Sequence, residues 1–299
     1  MKRFFLVGIF LIFCLAFFLR FYKLGEVPFG LYQDETAIGY NAFSILKTGR
    51  DEHGQFLPLY FKSFGDYKLP AYIYLTTIAI KIFGLNGFAV RFLSAFCGTL
   101  TVILVYYWLN LISGNRKLAV LTTLLLALNP WHLHYSRATF EVSFSLLLFV
   151  AGAIFIHLAL VKKRNKAFFF GVISFVLAFY TYNLTRLLAP ILLFIFIAFD
   201  YRAFKKLSKK TLWFTFGVAL ILLAPFWLTF FTAGGLASAK GTLIFSSAVV
   251  QAKILELRSY LISLPPWYSR LFFNRWFLTS WQYLLNLASY LSVSFFFIL

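Results

Sequence analysis

Acidic residues are scarce in this chain. Nine Asp and Glu stand against 28 Lys and Arg in 299 residues, which gives a formal net charge of +19. A charge of that size can indicate nucleic-acid binding, but the basic residues do not gather in one domain with interleaved aromatic stacking platforms. They lie mostly between apolar runs, where positive charge sets the orientation of a membrane protein. We therefore expect no nucleic-acid partner.

Cysteine is nearly absent as well. Cys14 and Cys97 both lie inside apolar runs, so the sequence indicates neither a disulfide framework nor a thiolate metal site. The chain also lacks a glycine-rich phosphate loop, a nucleophile elbow and a sustained heptad repeat. Nothing in the sequence suggests nucleotide hydrolysis.

Apolar residues make up most of the chain. They account for 62% of it, aromatic residues for 22%, and the mean hydropathy is +0.84, far above the values of a soluble domain. The apolar runs approach or exceed the roughly 17 residues that cross a bilayer as a helix. They do not alternate as the strands of an outer-membrane barrel do. The sequence thus predicts an all-α polytopic membrane protein, with the lipid bilayer as its first partner.

The apolar runs predict about eight transmembrane helices. The first is retained, since no small-residue cleavage site follows it, and it ends in an aromatic and basic interface anchor, Arg20 to Lys23. The run 71–83 is short and carries Lys81, so we assign it to a surface or re-entrant helix. The predicted spans are residues 4–22, 88–110, 118–135, 142–161, 167–182, 185–200, 212–231 and 283–299.

Charge then predicts the orientation. If the run 71–83 does not cross the membrane, the basic turns at 116–117, 162–166 and 202–210 lie with the N-terminus in the cytoplasm. The positive-inside bias favours this orientation. The segments 23–87 and 232–282 become outer loops of one transmembrane domain, 1–299, in the plasma membrane. Because the chain ends inside an apolar run, we expect residues beyond 299 to complete the fold.

The first outer loop holds six of the nine acids, among them the adjacent pair Asp34 and Glu35. Apolar residues at helical spacing predict a surface helix over 36–47, with Gly49 as its C-cap. Asp34 precedes this pattern, so one interpretation is a helix N-cap. The other is a general base at a dry interface, with Glu35 orienting it or raising its basicity.

Other charged residues on the predicted outer side are further candidates. Arg137 and Glu141 are four residues apart, which predicts a shared helical face, either as an interfacial ion pair or as part of a site. Arg91 lies in an apolar helix and either snorkels to the interface or marks function. Lys68 could neutralise a phosphate as a point charge, and Arg186 is a weaker candidate of the same type.

Three histidines, His53, His132 and His134, share that side with the carboxylates. This grouping permits a divalent metal. The spacing of His132 and His134, however, matches no recognised zinc pattern. No metal ligand is therefore assigned, and a divalent metal stays open.

Five motifs in one order carry a resemblance to a known group of enzymes. The motifs are a first apolar helix, Asp-Glu-x-x-x-x-Tyr ending at Tyr40, Lys68-Leu69-Pro70, the segment Gly87 to Gly98 around Arg91, and Asn129-Pro130 leading to Arg137 and Glu141. Over roughly residues 1–200 the chain thereby resembles the GT-C membrane glycosyltransferases, and most closely the protein O-mannosyltransferases, the lipid A aminoarabinose transferases and their bacterial relatives. The resemblance implies a GT-C-like helical bundle for the domain 1–299. One departure is that relatives often read acid-Lys-Pro-Pro-Leu, whereas here Ala71 replaces the second proline.

The resemblance implies a function for these residues. The donor would be a sugar on a polyprenyl phosphate, transferred with inversion to an acceptor hydroxyl at the outer face. Asp34 would be the base, with Glu35 and Glu141 in the same site; whether Asp34 or Glu141 is the base stays open. The implied substrate contacts are Lys68 at the donor phosphate, together with Tyr40, Arg91, Arg137 and Arg186.

Two other functions compete with this interpretation. A transporter or flippase of a lipid-linked or anionic solute could line its pathway with the same charges. Such a protein should show repeated halves, and the sequence has no internal repeat while its acids cluster on one face. A catalytically inactive member acting as a membrane partner is the third alternative.

Overall fold

A computed structural model describes residues 2–64, 66–229, 254–257, 259, 267 and 274–292 of the chain, and most of them are helical. By length and composition, three helices in these ranges could cross a membrane: Gly87–Ser113, Glu141–Leu160 and Lys209–Trp227. Four shorter apolar helices accompany them. A mostly helical membrane protein is confirmed, whereas the number of about eight spans stays a prediction.

The chain divides into two compact units, Met1–Thr229 and Phe230–Leu299. The first unit contains eleven helices and one two-stranded antiparallel hairpin in its described residues, and the second contributes helix α12. The elements are α1 Lys2–Phe21, α2 Gln33–Thr48, β1 Phe61–Ser63, β2 Asp66–Lys68, α3 Pro70–Phe83, α4 Gly87–Ser113, α5 Arg116–Leu128, α6 Pro130–Arg137, α7 Glu141–Leu160, α8 Asn165–Phe179, α9 Thr185–Phe199, α10 Tyr201–Phe204, α11 Lys209–Thr229 and α12 Arg275–Tyr290.

Helices α4 and α7 run parallel through the first unit. At their starts the Thr139 hydroxyl donates to the Val90 carbonyl at 3.2 Å. At their other ends Leu111 of α4 packs against the apolar cluster that contains Leu160 of α7 and Leu207. The connections 113–118, 161–166 and 200–210 therefore lie at one end, which we call the basic end. The start of α4 and of α7 and the helix α2 lie at the other, the acidic end.

The helix that the periodicity of 36–47 predicts is present as α2, and Gly49 ends it with φ 69°. Its position along a membrane surface stays a prediction. Its apolar face places Ile38 in a buried cluster with Phe61 of β1 and Tyr72 of α3. The N-cap interpretation of Asp34 is wrong. The helix begins three residues earlier than predicted, with Tyr32 as its N-cap, because the Glu35 carboxylate accepts the Tyr32 N–H at 3.2 Å.

The predicted helix over 118–135 is also wrong, because the chain breaks at Asn129. This residue ends α5 and caps α6, where its Oδ1 accepts the His132 N–H at 2.9 Å. Pro130 follows as the first residue of α6, where the N–H that proline lacks would be unsatisfied in any case. Arg137 now ends α6 while Glu141 begins α7, so the two do not share a helical face.

The last predicted helix, 283–299, needs a similar correction. Helix α12 begins at Arg275, inside the predicted outer loop 232–282, because the Asn274 side chain caps it by accepting the Phe277 N–H at 2.8 Å. The helix ends at Tyr290. Residues 293–299 and most of the predicted loop lie outside the described residues.

Helices α4 and α6 are in close contact at Gly98. A Cβ at this position would lie 2.1 Å from Ser136 Oγ and 2.5 Å from Ser136 Cβ. Because the second distance involves an atom fixed to the backbone of α6, a rotation of the hydroxyl alone cannot make room. Gly98 thus allows α6 to pack directly on α4.

We expect Gly98→Ala to destabilise the protein by about 1–3 kcal/mol, since the added methyl group must push the two helices apart. Gly8→Ala is the matched control, because a Cβ at this helical position meets nothing within 4 Å. Thermal unfolding in detergent measures both variants. Equal midpoints for the two would contradict the close contact.

Candidate active site

A buried ion pair lies at the acidic end. Arg91 of α4 is 0% exposed and Glu35 of α2 is 2% exposed. The guanidinium binds the carboxylate with two hydrogen bonds, Nε to Oε1 at 2.9 Å and Nη2 to Oε2 at 2.8 Å. Such a bidentate pair fixes orientation as well as distance. It therefore sets where the first turn of α2 lies against α4.

The remaining acceptor sites of Glu35 are also occupied. Its Oε1 accepts the Thr139 N–H at 2.8 Å and the Thr139 hydroxyl at 3.1 Å, and its Oε2 accepts the Tyr32 N–H. Burial raises the pKa of this carboxyl, but the hydrogen bonds from Arg91, Thr139 and Tyr32 outweigh burial and hold its pKa below the usual value. Glu35 is thus a saturated, ionised group.

Two arginines hold the connection between α1 and α2 through its backbone carbonyls. The last carbonyls of a helix have no partner inside it, and here arginine side chains supply one. Arg91 donates to the carbonyls of Leu24, Pro28 and Gly30, and Arg137 donates to those of Leu19, Tyr22 and Val27. The predicted site residues Arg91 and Arg137 therefore act on the backbone that leads into α2.

Asp34, the neighbour of Glu35, points the other way. Successive helical residues are about 100° apart around the axis, so Glu35 faces the protein while the Asp34 side chain is 34% exposed. Its Oδ2 accepts the Tyr32 hydroxyl at 2.9 Å and lies 3.2 Å from Nζ of Lys68. Lys68 is the last residue of β2, where it pairs with Phe61. The hairpin thereby brings a cation to the exposed acid.

Glu141, in the first turn of α7, belongs to the same neighbourhood. Burial raises the pKa of Tyr32, and the Asp34 hydrogen bond and the charges of Asp34 and Glu141 add to the effect. Burial and the Glu141 charge likewise raise the pKa of Tyr182. The Phe140 ring packs 5.7 Å from that of Tyr32. Two carboxylates, a lysine and two tyrosines therefore face one region.

Tyr40 and Arg186 are placed differently. Tyr40 is 52% exposed and lies six residues after Asp34, hence about 240° around the helix from it. The Arg186 guanidinium packs over three rings, those of Tyr60, Phe179 and Phe226, the last at 4.7 Å from the ring centroid. It also donates to the Tyr60 hydroxyl at 3.2 Å. The contacts of Arg186 do not include the acids around Asp34.

The three candidate histidines have other neighbours than Asp34. His132 Nδ1 lies 2.7 Å from Nη2 of Arg20, which is fully buried and not an interface anchor. His53 Nε2 lies 3.9 Å from Oε1 of Glu52. His53 contacts the Lys62 carbonyl at 3.2 Å, and His134 packs against the ring of Phe140. Within the described ranges no three His, Cys, Asp or Glu side chains are placed to hold a metal ion.

Sequence reasoning missed several residues of this region. Tyr32 and Tyr182 were not singled out, although both are polar aromatic residues next to predicted helix ends. Thr139 was missed because a threonine between two helices does not by itself indicate a functional role. Only the fold shows that its N–H and hydroxyl both reach Glu35.

A family model described as dolichyl-phosphate-mannose-protein mannosyltransferase matches residues 68–228. The chain belongs to this family. A similar protein, an uncharacterized protein of Aquifex aeolicus (strain VF5), is 29% identical over 184 residues, which cover 60% of this chain and 34% of that protein. The chain thus spans about a third of the length of that relative. No solved structure matches the chain.

The mannosyltransferase-family match begins at Lys68, so Asp34 and Glu35 precede it. Both acids contact the matched region, Asp34 through Lys68 and Glu35 through Arg91. Glu141 also lies inside the match. Residues before the match therefore complete a cluster whose other members belong to the family region.

The ion pair allows a direct stability test. Glu35→Gln leaves the Arg91 charge buried without its partner, and we expect a loss of about 3–5 kcal/mol, as for other broken buried pairs. Asp34→Asn is the control, since a partly exposed pair contributes at most about 1 kcal/mol. Chemical unfolding in detergent compares the two variants. A Glu35→Gln variant as stable as Asp34→Asn would contradict the structural role of the pair.

A second test uses the pH dependence of stability. Burial, and then the Arg20 charge, lower the pKa of His132 from 6.5 to about 3. Between these values the unfolded chain binds a proton that the folded chain does not, so His132 destabilises the fold as pH falls below 6.5, by up to about 1.4 kcal/mol per pH unit.

We therefore expect the unfolding temperature to fall between pH 7.5 and 5, and to fall less in His132→Asn. This window lies above the titration of Glu35, whose lowered pKa makes it matter only at more acidic pH. The matched control is His53→Asn, because the His53 side chain is 46% exposed. An unchanged slope in His132→Asn would refute the assignment.

Proposed function

We propose that this chain is a polyprenyl-phosphate-dependent glycosyltransferase that transfers a sugar to an acceptor hydroxyl at the outer face of the plasma membrane. The observation that carries the proposal is the pairing of an accessible carboxylate, Asp34, with an ammonium group, Lys68, 3.2 Å away. The first suits the incoming hydroxyl and the second suits the departing phosphate. Membership of the mannosyltransferase family supports this chemistry.

The proposed reaction has one displacement step. The acceptor oxygen attacks the anomeric carbon of the sugar from the side opposite the phosphate, while its proton passes to the Asp34 carboxylate. The bond between that carbon and the phosphate oxygen breaks, and its electron pair stays on the polyprenyl phosphate. Attack from the opposite side inverts the anomeric centre. Lys68 meets the charge on the departing phosphate, and no step here runs through a metal ion.

The two adjacent acids take different roles in this proposal. Every oxygen of Glu35 is engaged and the side chain is buried, so we assign it the positioning of α2. Asp34 keeps an exposed fraction, and one of its partners is the ammonium group of Lys68, which the donor phosphate can draw away. Asp34 is therefore the proposed base, and Glu141 lines the same region.

The other predicted substrate residues fit around this assignment. Arg91 and Arg137 hold the backbone between α1 and α2, so we propose that they shape the site without touching the substrate. Tyr40 stays a candidate contact for the acceptor. Arg186, at the start of α9 among aromatic rings, stays a candidate contact for the donor.

Charge asymmetry supports the proposed orientation. The connections at the basic end carry eleven Lys and Arg, two in 113–118, four in 161–166 and five in 200–210, against one acid, Asp200. Cytoplasmic connections carry such an excess. The acidic end would then face outwards, with about eight spans of a GT-C-like arrangement between the two.

The experiment is complementation in a strain of the source organism that lacks this gene. Mass spectrometry of its glycolipids and glycoproteins identifies the glycan lost on deletion, and the full-length gene restores it. We expect Asp34→Asn to restore less than about 1% of it, since removal of a general base costs about 10²–10⁴-fold. Glu26→Gln, which removes an exposed acid of the same loop, is the control and should restore the glycan fully.

Immunoblots of the membrane fraction check that both variants are present at wild-type levels. If Asp34→Asn keeps full activity, Asp34 is not the base. If Glu141→Gln loses activity while Asp34→Asn keeps it, Glu141 is the base. If no glycan changes on deletion, and vesicles containing the protein instead move a lipid-linked sugar across the bilayer, the protein is a transporter.

A further inference from the structure

A cavity lies at the basic end, away from the acids around Asp34. It has a volume of about 770 Å³, within the range of about 300–1,000 Å³ that is usual for ligand sites. The last turn of α7, the first residue of α8 and the connection from α9 to α11 form its walls. The reaction proposed above uses none of these residues.

Three cations line this cavity, namely Lys163, Arg202 and Lys206. Asp200 also lines it, but in the described part of the chain no carboxylate oxygen lies within 4.0 Å of the three cationic side chains. A cavity bordered by three cations and one acid attracts anions. An arginine offers a fork of donors to phosphate, and two lysines add point charges.

Helix α8 adds to this attraction. It begins at Asn165, which lines the cavity, and no side chain caps its first turn. The uncapped N–H groups and the helix dipole both favour an anion there. The helix terminus thus acts in the same direction as the three cations.

The apolar part of the cavity indicates where the anion comes from. Leu160 and Leu207 form part of its lining, and Phe199, on the lining as well, is 86% exposed. Phe199 ends a stripe of exposed apolar side chains on α9, which includes Leu188, Ile191 and Ile195. Such a stripe faces lipid tails in a membrane protein. A phosphate in the cavity would therefore lie where the acyl chains along α9 end.

We propose that this cavity binds the phosphate headgroup of an anionic phospholipid from the membrane leaflet at the basic end. Basic pockets between membrane helices recognise such headgroups. Lys163, Arg202 and Lys206 bind the phosphate, and α9 packs along the acyl chains. The inference does not rest on the proposed sugar transfer, because the two sites share no residue.

The positive-inside bias alone would also place cations at this end, so the test must separate the cavity from the general charge. The cavity variant is Lys163→Gln, Arg202→Gln and Lys206→Gln together. The matched control is Lys117→Gln, Lys162→Gln and Lys209→Gln together, which removes the same charge from the same end but from residues that do not line the cavity.

Native mass spectrometry of the full-length protein in neutral detergent measures the binding of phosphatidylglycerol and phosphatidylcholine. We expect the wild-type protein to prefer phosphatidylglycerol by at least about tenfold. The cavity variant should lose about a hundredfold in affinity for that lipid, because each cation near an anionic lipid contributes about fivefold. The control variant should lose less than about fivefold.

Equal losses in the two triple variants would overturn the proposal, as would a cavity variant that still binds phosphatidylglycerol like the wild type. Glycerol phosphate at equal concentration distinguishes the two sources of phosphate. If it binds the wild type as tightly as the lipid does, the site serves a soluble phosphate and the lipid assignment is overturned.

Unfolding temperatures without added lipid establish that both triple variants fold. Arg202→Gln alone is a milder variant, and we expect it to lose about fivefold in affinity for phosphatidylglycerol.

Discussion

The ion pair between Glu35 and Arg91 is the interaction on which the acidic end depends. Burying two charges is costly unless their partners are close and every remaining hydrogen-bonding position is filled. Here both conditions are met, since Thr139 and the Tyr32 N–H complete the carboxylate while three backbone carbonyls complete the guanidinium. One pair therefore joins α2, α4, the start of α7 and the connection after α1.

This arrangement explains why two of the nine acids occupy adjacent positions. One carboxylate must be inside to hold α2, and the rotation of about 100° per residue carries its neighbour to the open side. The buried acid gives the exposed one a fixed place opposite Lys68. Of the two neighbours, Glu35 holds the helix in place and Asp34 is the accessible one. A catalytic group benefits when packed neighbours hold it in place.

Charge also divides the two ends of the first unit. The parallel course of α4 and α7 brings three basic connections to one end, while α2 and Glu141 lie at the other. The positive charge at the basic end both favours one orientation in a membrane and borders a cavity with three cations, Lys163, Arg202 and Lys206. In our proposals sugar transfer and lipid binding occupy opposite ends of the same helical unit.

Much of the molecule followed from local patterns. The hydropathy indicated a helical membrane protein, and the spacing of apolar residues with Gly49 indicated the helix α2 and its end. These inferences succeeded because hydrophobic period and glycine conformation act over a few neighbouring residues. The motifs likewise identified the family, which the match over 68–228 confirms.

Helix boundaries were less secure, because caps such as Asn129 and Asn274 decide them through a single side-chain hydrogen bond. The roles of charged residues depended entirely on the tertiary structure. By sequence Arg137 and Glu141 looked like a pair and Arg20 like an interface anchor, but only the packing of distant segments shows that Arg137 holds a loop and that Arg20 is buried against His132. Sequence by itself determined the class, the family and the candidate acids. Which acid is buried and which is open was decided by the fold, because that depends on a contact between residues 56 positions apart.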